Sequence, residues 1–176
     1  MIKGIVAGMA AALVLALLGA YAFVATGQFP ANADAKPPAL EKWAARLSLK
    51  ATISRQMLKT PNPVALSEDN LIAGIKLYAA NCTVCHGAAD GAASNIAKGL
   101  YQRAPQLGSH GVTDDEEGET YWKIFHGIRM TGMPSYRATL SETQMWQITL
   151  FLKHMDELTP GAEKAWKALP SQGAAN

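Results

Sequence analysis

Both cysteines of the chain lie in one short segment, Asn81-Cys82-Thr83-Val84-Cys85-His86-Gly87. The C-x-x-C-H spacing within it is the attachment pattern of a c-type haem. Two thiols one turn of chain apart match the two vinyl groups on one edge of a porphyrin, so each can form a thioether. His86 then follows directly and is aimed at the iron from the proximal side. The pattern predicts one covalent haem c and its iron, held by Cys82, Cys85 and His86, with His86 as an iron ligand.

Three other uses of this segment fit less well. A redox dithiol is expected after a strand in a βαβ context, whereas the flanking residues show helical periodicity. A zinc site needs more Cys or His residues at ligand spacing, and there is no second C-x-x-C. A disulfide between Cys82 and Cys85 would close a very small loop of little entropic value. Haem attachment is therefore the favoured interpretation.

Helical segments are predicted on both sides of the motif. Before it, Ser67 is followed by two acidic residues, which is typical of a helix N-terminus, and Leu71, Ile75 and Tyr78 share one face. After it, Ser141-Glu142-Thr143-Gln144 has the form of a capping box. The residues that follow it have apolar side chains at helical spacing: Met145, Ile148, Phe151, Leu152 and Met155. An all-α domain is expected.

This order of elements resembles class I cytochromes c, across residues 67–158. The resemblance implies a fold wrapped around one covalent haem, in which Gly74 and Tyr78 pack on the C-terminal helix near an aromatic-Leu pair, here Phe151-Leu152. Class II cytochromes place C-x-x-C-H near the C-terminus, whereas about 90 residues follow His86.

The same resemblance implies the second iron ligand. Thr131-Gly132-Met133-Pro134 is similar to the Gly-Met-Pro axial loop of the family, which makes Met133 the expected ligand. The other candidates are Met130, expected to fill core space, and the histidines, expected at helix ends or in solvent: His110, His126 and His154.

A Pro-x-Leu element of the family holds the proximal histidine, and Ala104-Pro105-Gln106-Leu107 matches it. The resemblance implies that the Pro105 carbonyl accepts a hydrogen bond from the His86 ring, which orients the ring. It also implies that Leu107 lies against the haem.

The N-terminal residues have the composition of a membrane-spanning segment. Lys3 is followed by an uncharged apolar run over residues 4–25, long enough to cross a bilayer. Ala31-Asn32-Ala33 has the small-x-small form of a signal-peptidase site, so a retained anchor and a cleaved signal both stay open; the length of the run favours the anchor. Either one exports the rest of the chain, and Lys3 favours an N-terminus inside. The expected location is the bacterial cytoplasmic membrane, with the haem domain on the periplasmic or outer face.

Acidic and basic residues are distributed unevenly along the chain. Residues 36–66 carry six basic residues against one acid, whereas residues 67–158 carry eleven acids against seven basic residues. The formal net charge of +2 gives no reason to expect a nucleic-acid partner. An acidic run over residues 114–119 is either a docking face for a basic partner or, as we favour, a solvated loop near a helix N-terminus.

Apolar residues at helical spacing between Leu40 and Ala51 predict a basic amphipathic helix over residues 39–60. It either lies on an anionic lipid surface or, as its pattern favours, packs its apolar stripe on the domain. The whole chain is then divided as follows: 1–27 transmembrane anchor or uncleaved signal, 28–38 tether, 39–60 basic amphipathic helix, 67–158 cytochrome c domain and 159–176 C-terminal tail.

These features predict a non-enzymatic single-electron carrier in a periplasmic respiratory or dehydrogenase-linked chain. Its expected partners are the membrane, through the N-terminal helix, and a redox protein such as a quinol-linked reductase, a dehydrogenase or a terminal oxidase. Two alternatives are a haem-bearing subunit of a larger membrane oxidoreductase complex and a ligand-binding or peroxidatic haem protein. The Met133 loop disfavours the last of these.

Overall fold

The computed structural model describes residues 2–109, 111–171 and 173, and within them every regular element is a helix. The all-α prediction is therefore confirmed. The helices are α1 (Ile2–Ala25), α2 (Ala39–Gln56), α3 (Glu68–Asn81), α4 (Thr83–His86), α5 (Asn95–Gly99), α6 (Glu117–His126), α7 (Glu142–Lys153) and α8 (Pro160–Lys167). The chain forms two compact units, Met1–Ala35 and Lys36–Asn176.

The first unit is dominated by α1, a helix of 24 residues in which no residue is buried by protein. Its length and apolar composition are those of a segment that can cross a bilayer. This is consistent with membrane anchoring.

The core of the second unit forms where α3 crosses α7. At Gly74 an added Cβ would meet the Gln147 carbonyl oxygen well inside van der Waals contact, so only glycine allows this close approach. Tyr78 and Phe151 are fully buried and their rings meet edge to face at 5.5 Å. The expected packing of Gly74 and Tyr78 on the C-terminal helix is confirmed.

Side-chain caps fix where both core helices begin. The Ser67 hydroxyl accepts from the Asn70 amide at the start of α3. At the start of α7, Ser141 and Gln144 form the predicted capping box, with the Ser141 amide donating to Gln144 Oε1 at 2.9 Å. These caps satisfy amides that would otherwise lack partners.

The segment expected to be a C-terminal tail contributes instead to the core. Helix α8 packs on α3, and it buries Ala162 and Trp166. The Trp166 ring lies 5.5 Å from Tyr78 and 5.1 Å from Phe151. Thr159 caps the helix by accepting from the Ala162 amide, with Pro160 at its first position. The domain boundary therefore extends past residue 158.

Helix α2 does not pack its apolar stripe on the domain, so the favoured expectation for it is wrong. Leu40, Trp43 and Leu47 are 73%, 61% and 54% exposed, and Ile53 is the buried residue of this helix. The reason is that a different face of α2, the one carrying Ile53, is turned toward α6.

Candidate haem-attachment site

One turn of helix carries the three motif residues. Helix α3 ends at Asn81, and the amides of Cys85 and His86 both donate to the Cys82 carbonyl, at 3.0 and 2.8 Å. This turn places Cys82 and Cys85 one helical turn apart, which is the spacing that two thioether bonds to one porphyrin edge require. Both thiols are free and half-buried.

Burial raises the pKa of Cys82 to about 12, with the neighbouring Cys85 as a smaller cause. The thiol is therefore neutral at physiological pH. A thioether has no ionisable proton, so this buried position stays uncharged once the haem is attached.

The ring of His86 is held by the main chain of Pro105. His86 Nδ1 lies 2.9 Å from the Pro105 carbonyl oxygen. A carbonyl oxygen can only accept, so Nδ1 carries the hydrogen and Nε2 keeps its lone pair. Burial lowers the pKa of His86, and the hydrogen bond to Pro105 only partly opposes this shift. The neutral ring with Nε2 free is the form that binds a metal ion.

Residues 104–107 form further hydrogen bonds to the motif, and we call this segment the His86 clasp. The Leu107 amide donates to the His86 carbonyl at 2.9 Å, while Gln106 Nε2 donates to the carbonyls of Cys85 and Ala104 at 3.0 and 3.1 Å. Leu107 is itself buried in the hydrophobic core. The clasp therefore fixes both the ring and the backbone of His86. The role of Gln106 was not predicted, because a single Gln gives no pattern in the sequence.

The hydroxyl of Tyr78 connects the motif to the core. It donates to the Gly87 carbonyl at 2.9 Å and approaches the His86 carbonyl at 3.2 Å. Burial raises the pKa of this phenol far above its usual value, so it stays a donor at any physiological pH. Gly87, with φ of +72°, lets the chain leave α4 at this point.

The Met133 loop is tied at its base to the end of α6. Across the base, the Ile128 amide donates to the Met133 carbonyl at 3.2 Å, and the Ser135 hydroxyl donates to the Phe125 carbonyl at 2.7 Å. The Met133 amide donates to the Thr131 hydroxyl at 3.1 Å. Met133 is half-buried and packs against the hydrophobic core. The loop thus holds a thioether side chain in a defined place.

Tyr136 brings this loop to the haem motif. Its hydroxyl donates to the carbonyl of Asn81, the residue before Cys82, at 2.7 Å, and its amide donates to the Ile124 carbonyl at 3.1 Å. Beside the loop, a Cβ added to Gly132 would meet the Leu100 side chain. Tyr136 and Leu100 gave no signal in the sequence, because a lone aromatic or Leu in a loop is typical of many structures.

The other candidate ligands are placed differently from Met133. Met130 is 90% exposed with φ of +59°, so the expectation that it fills core space is wrong: it occupies a left-handed position at a turn. His126 ends α6 and His154 caps α7, both as predicted. His110 lies outside the described residues.

Three of the five acidic side chains in residues 114–119 form contacts within the domain. Lys123 pairs with Asp115 at 2.9 Å and with Glu119 at 2.7 Å, and Asn62 donates to Glu117 at 2.9 Å. Burial alone would lower the pKa of Lys123, but its two carboxylate partners more than offset this and the pKa is raised. Asp114 remains exposed. The favoured interpretation is correct in placing acids near a helix N-terminus, because Glu117 and Glu119 lie in the first turn of α6. It is wrong in describing the run as solvated, because Asp115, Glu117 and Glu119 are partly buried and paired.

Comparison with known proteins adds one family match, which lies within the domain. The family model described as cytochrome C oxidase, cbb3-type, subunit III matches residues 69–152. No curated protein and no solved structure matches the chain.

The donor set fits a covalent haem. It offers two free thiols one turn apart, a neutral imidazole with an unprotonated Nε2, and a methionine loop joined to the motif by Tyr136. In the part of the chain that the structure describes, no three His, Cys, Asp or Glu side chains are grouped to hold a metal ion, so the zinc interpretation gains no support there. Together with the family match, this makes the domain a monohaem class I cytochrome c with one covalent haem c, and its chemistry is haem-based electron transfer.

Proposed function

We propose that the chain is a single-electron carrier whose haem c is ligated by His86 and Met133 and exposed on the outer face of the bacterial cytoplasmic membrane. When bound, the haem supplies reversible exchange of one electron between the ferrous and ferric states of its iron. The observation that carries the proposal is the pairing of the His86 clasp with a Met133 loop anchored to the same motif.

The protein residues supply position and electronic tuning. The Pro105 carbonyl keeps Nε2 of His86 directed away from the clasp, and the Met133 thioether would favour the ferrous iron and so raise the potential. Cys82, just before α4, and Cys85 within it would hold the haem through two thioether bonds. Val84, between them, is exposed, which supports an edge open to a redox partner. In this proposal Leu107 would contact the haem.

Carbon monoxide tests whether this is a carrier or a ligand-binding haem. With Met133 on the iron, the gas must displace the sulfur, so the spectrum of the reduced protein should barely change at neutral pH. Met133→Ala should bind the gas readily, and Met130→Ala should behave like the wild type because its side chain is exposed. Rapid, stoichiometric binding by the wild type would overturn the carrier proposal.

A second candidate is a haem-bearing subunit of a larger membrane oxidoreductase, and the family match favours it. The family name describes a subunit of a cytochrome oxidase. Gentle solubilisation of native membranes followed by gel filtration separates the two functions. A carrier should elute alone, with quinol-linked reductase, dehydrogenase or oxidase activity in other fractions. Stable co-elution with such an activity would favour the subunit.

The retained anchor has its own test. Expressed in a host that matures c-type cytochromes, the protein should stay in the membrane pellet after alkaline wash, because α1 is long and apolar enough to span the bilayer. A soluble product that begins at Asp34 would show instead that residues 1–33 are a cleaved signal.

A further inference from the structure

We propose that α2 lies along an anionic membrane surface, with Leu40, Trp43 and Leu47 inserted between the lipids and a row of basic side chains on the headgroups. The helix would then hold the haem domain against the bilayer. This goes beyond the proposed electron carrier, which does not depend on it.

The exposed apolar stripe is the first observation. Leu40, Trp43 and Leu47 are spaced three and four residues apart, so they share one helix face, and each is more than half exposed. Ala44 and Ala51 are also exposed and extend that face. A contiguous exposed stripe of this kind marks an interaction surface rather than scattered surface residues.

The basic residues beside the apolar stripe indicate that its partner is anionic lipid. Lys42, Arg46 and Lys50 recur every four residues and line the same surface groove as Trp43 and Leu47. These cations have long apolar stems that can lie along the stripe while their charges reach phosphate groups. Trp beside Lys and Arg is the composition of interfacial helices on anionic lipid.

The face of α2 that is turned toward the domain already makes contacts with it. The apolar stripe therefore lies on a different face and is exposed. Near its N-terminus, Tyr101 donates to Glu41 at 2.8 Å. Near its C-terminus, Ile53 is buried and Trp122 donates to Gln56 at 3.2 Å. The helix is thus fastened at both ends, with its stripe and basic row outside these contacts.

Chain connectivity and electrostatics both favour lipid over a protein partner. Thirteen residues join α1 to α2, a reach of at most about 45 Å, so α2 stays near the surface from which a membrane-spanning α1 would emerge. The haem domain is acidic and an anionic bilayer repels it, whereas the stretch that includes α2 is basic. Each Lys or Arg near such a surface strengthens binding about fivefold, or roughly a hundredfold for three.

The test uses full-length holoprotein in nanodiscs of phosphatidylcholine, with or without phosphatidylglycerol. Single cysteines are introduced by Leu47→Cys on the stripe and by Ala45→Cys, an exposed position across the helix. Cys82 and Cys85 are held as thioethers, so the new thiol is the reactive one. Its rate of modification by a neutral, membrane-impermeant PEG-maleimide is followed by mass spectrometry, after the haem spectrum has shown each variant to be native.

The expected result is slow modification at position 47 and fast modification at position 45 in phosphatidylglycerol nanodiscs, with the difference lost in phosphatidylcholine alone. Reversing Lys42, Arg46 and Lys50 to Glu should restore the rate at position 47. Reversing three exposed lysines elsewhere, Lys76, Lys98 and Lys164, changes the net charge equally and should not.

Three outcomes would overturn the proposal. The first is equal rates at positions 47 and 45 in anionic nanodiscs. The second is equal protection of position 47 in both lipids, which removes the electrostatic basis. The third is protection in detergent that grows with protein concentration, which would make a second copy of the chain the occupant.

Discussion

The Nδ1 atom of His86 lies 2.9 Å from the carbonyl oxygen of Pro105, 19 residues further along the chain. This contact decides the tautomer of the ring and leaves Nε2 as the nitrogen available to iron. The Leu107 amide returns a hydrogen bond to the His86 carbonyl, so ring and backbone are fixed by one short segment. Orientation of His86, the proposed proximal ligand, is therefore a property of the main chain of the His86 clasp.

Gln106 gives the clasp a side chain that mutation can test. In Gln106→Glu the two donors to the carbonyls of Cys85 and Ala104 are replaced by a carboxylate that faces them. We expect a loss of about 1–3 kcal/mol in the free energy of unfolding at pH 7, measured by urea titration of the holoprotein. Gln102→Glu makes the same charge change outside the clasp and should cost much less.

The pH dependence of the same variant separates repulsion from lost packing. The folded state should raise the pKa of the new carboxyl, since its charged form faces two carbonyl oxygens. Stability relative to the wild type should then recover as the pH falls toward the ordinary Glu value of about 4.3. A deficit that is constant with pH would contradict the charge explanation.

Gly74→Ala tests the crossing of α3 and α7. The added methyl would overlap the Gln147 carbonyl, so the helices must separate, and we expect a loss of about 1–3 kcal/mol in unfolding free energy. Gly99→Ala is the matched control, because an added Cβ there meets nothing within 4 Å. Equal urea midpoints for the two variants would show that the crossing is not as tight as described.

The acidic run should matter more for stability than for docking. Asp115→Asn removes an ion pair with Lys123 and should cost up to about 1 kcal/mol, because the pair is partly exposed. The free energy of unfolding of the double variant, Asp114→Asn with Glu116→Gln, should stay within about 0.5 kcal/mol of the wild-type value. The double variant should also keep the salt dependence of electron transfer to a basic partner. A flattened dependence would identify the run as a docking face.

The sequence was sufficient for features that depend on local pattern or on a spaced motif. Ser67 and Ser141 marked helix starts through capping chemistry, and C-x-x-C-H marked the attachment turn. The identity of Gly74 as a crossing point came from the family resemblance, since a glycine in a helix has no pattern of its own.

Features that depend on tertiary packing were not predictable in the same way. Helix α8 is short, and half of its residues are Ala or Lys, so its periodicity gave no sign that Trp166 reaches the core. Helix α2 has two faces with apolar residues, and composition cannot tell which of them the domain covers. Gln106, Tyr136 and Leu100 act through contacts with residues distant in sequence, and no local signal marks them.

The most direct test of the proposed His86 and Met133 ligation is the near-infrared absorption of the oxidised protein, where methionine sulfur on ferric haem gives a weak charge-transfer band. The wild type and Met130→Ala should both show the band. Met133→Ala should lack it while keeping its haem after denaturation, because the thioethers at Cys82 and Cys85 are unaffected. A band that persists in Met133→Ala would contradict the ligation on which the account rests.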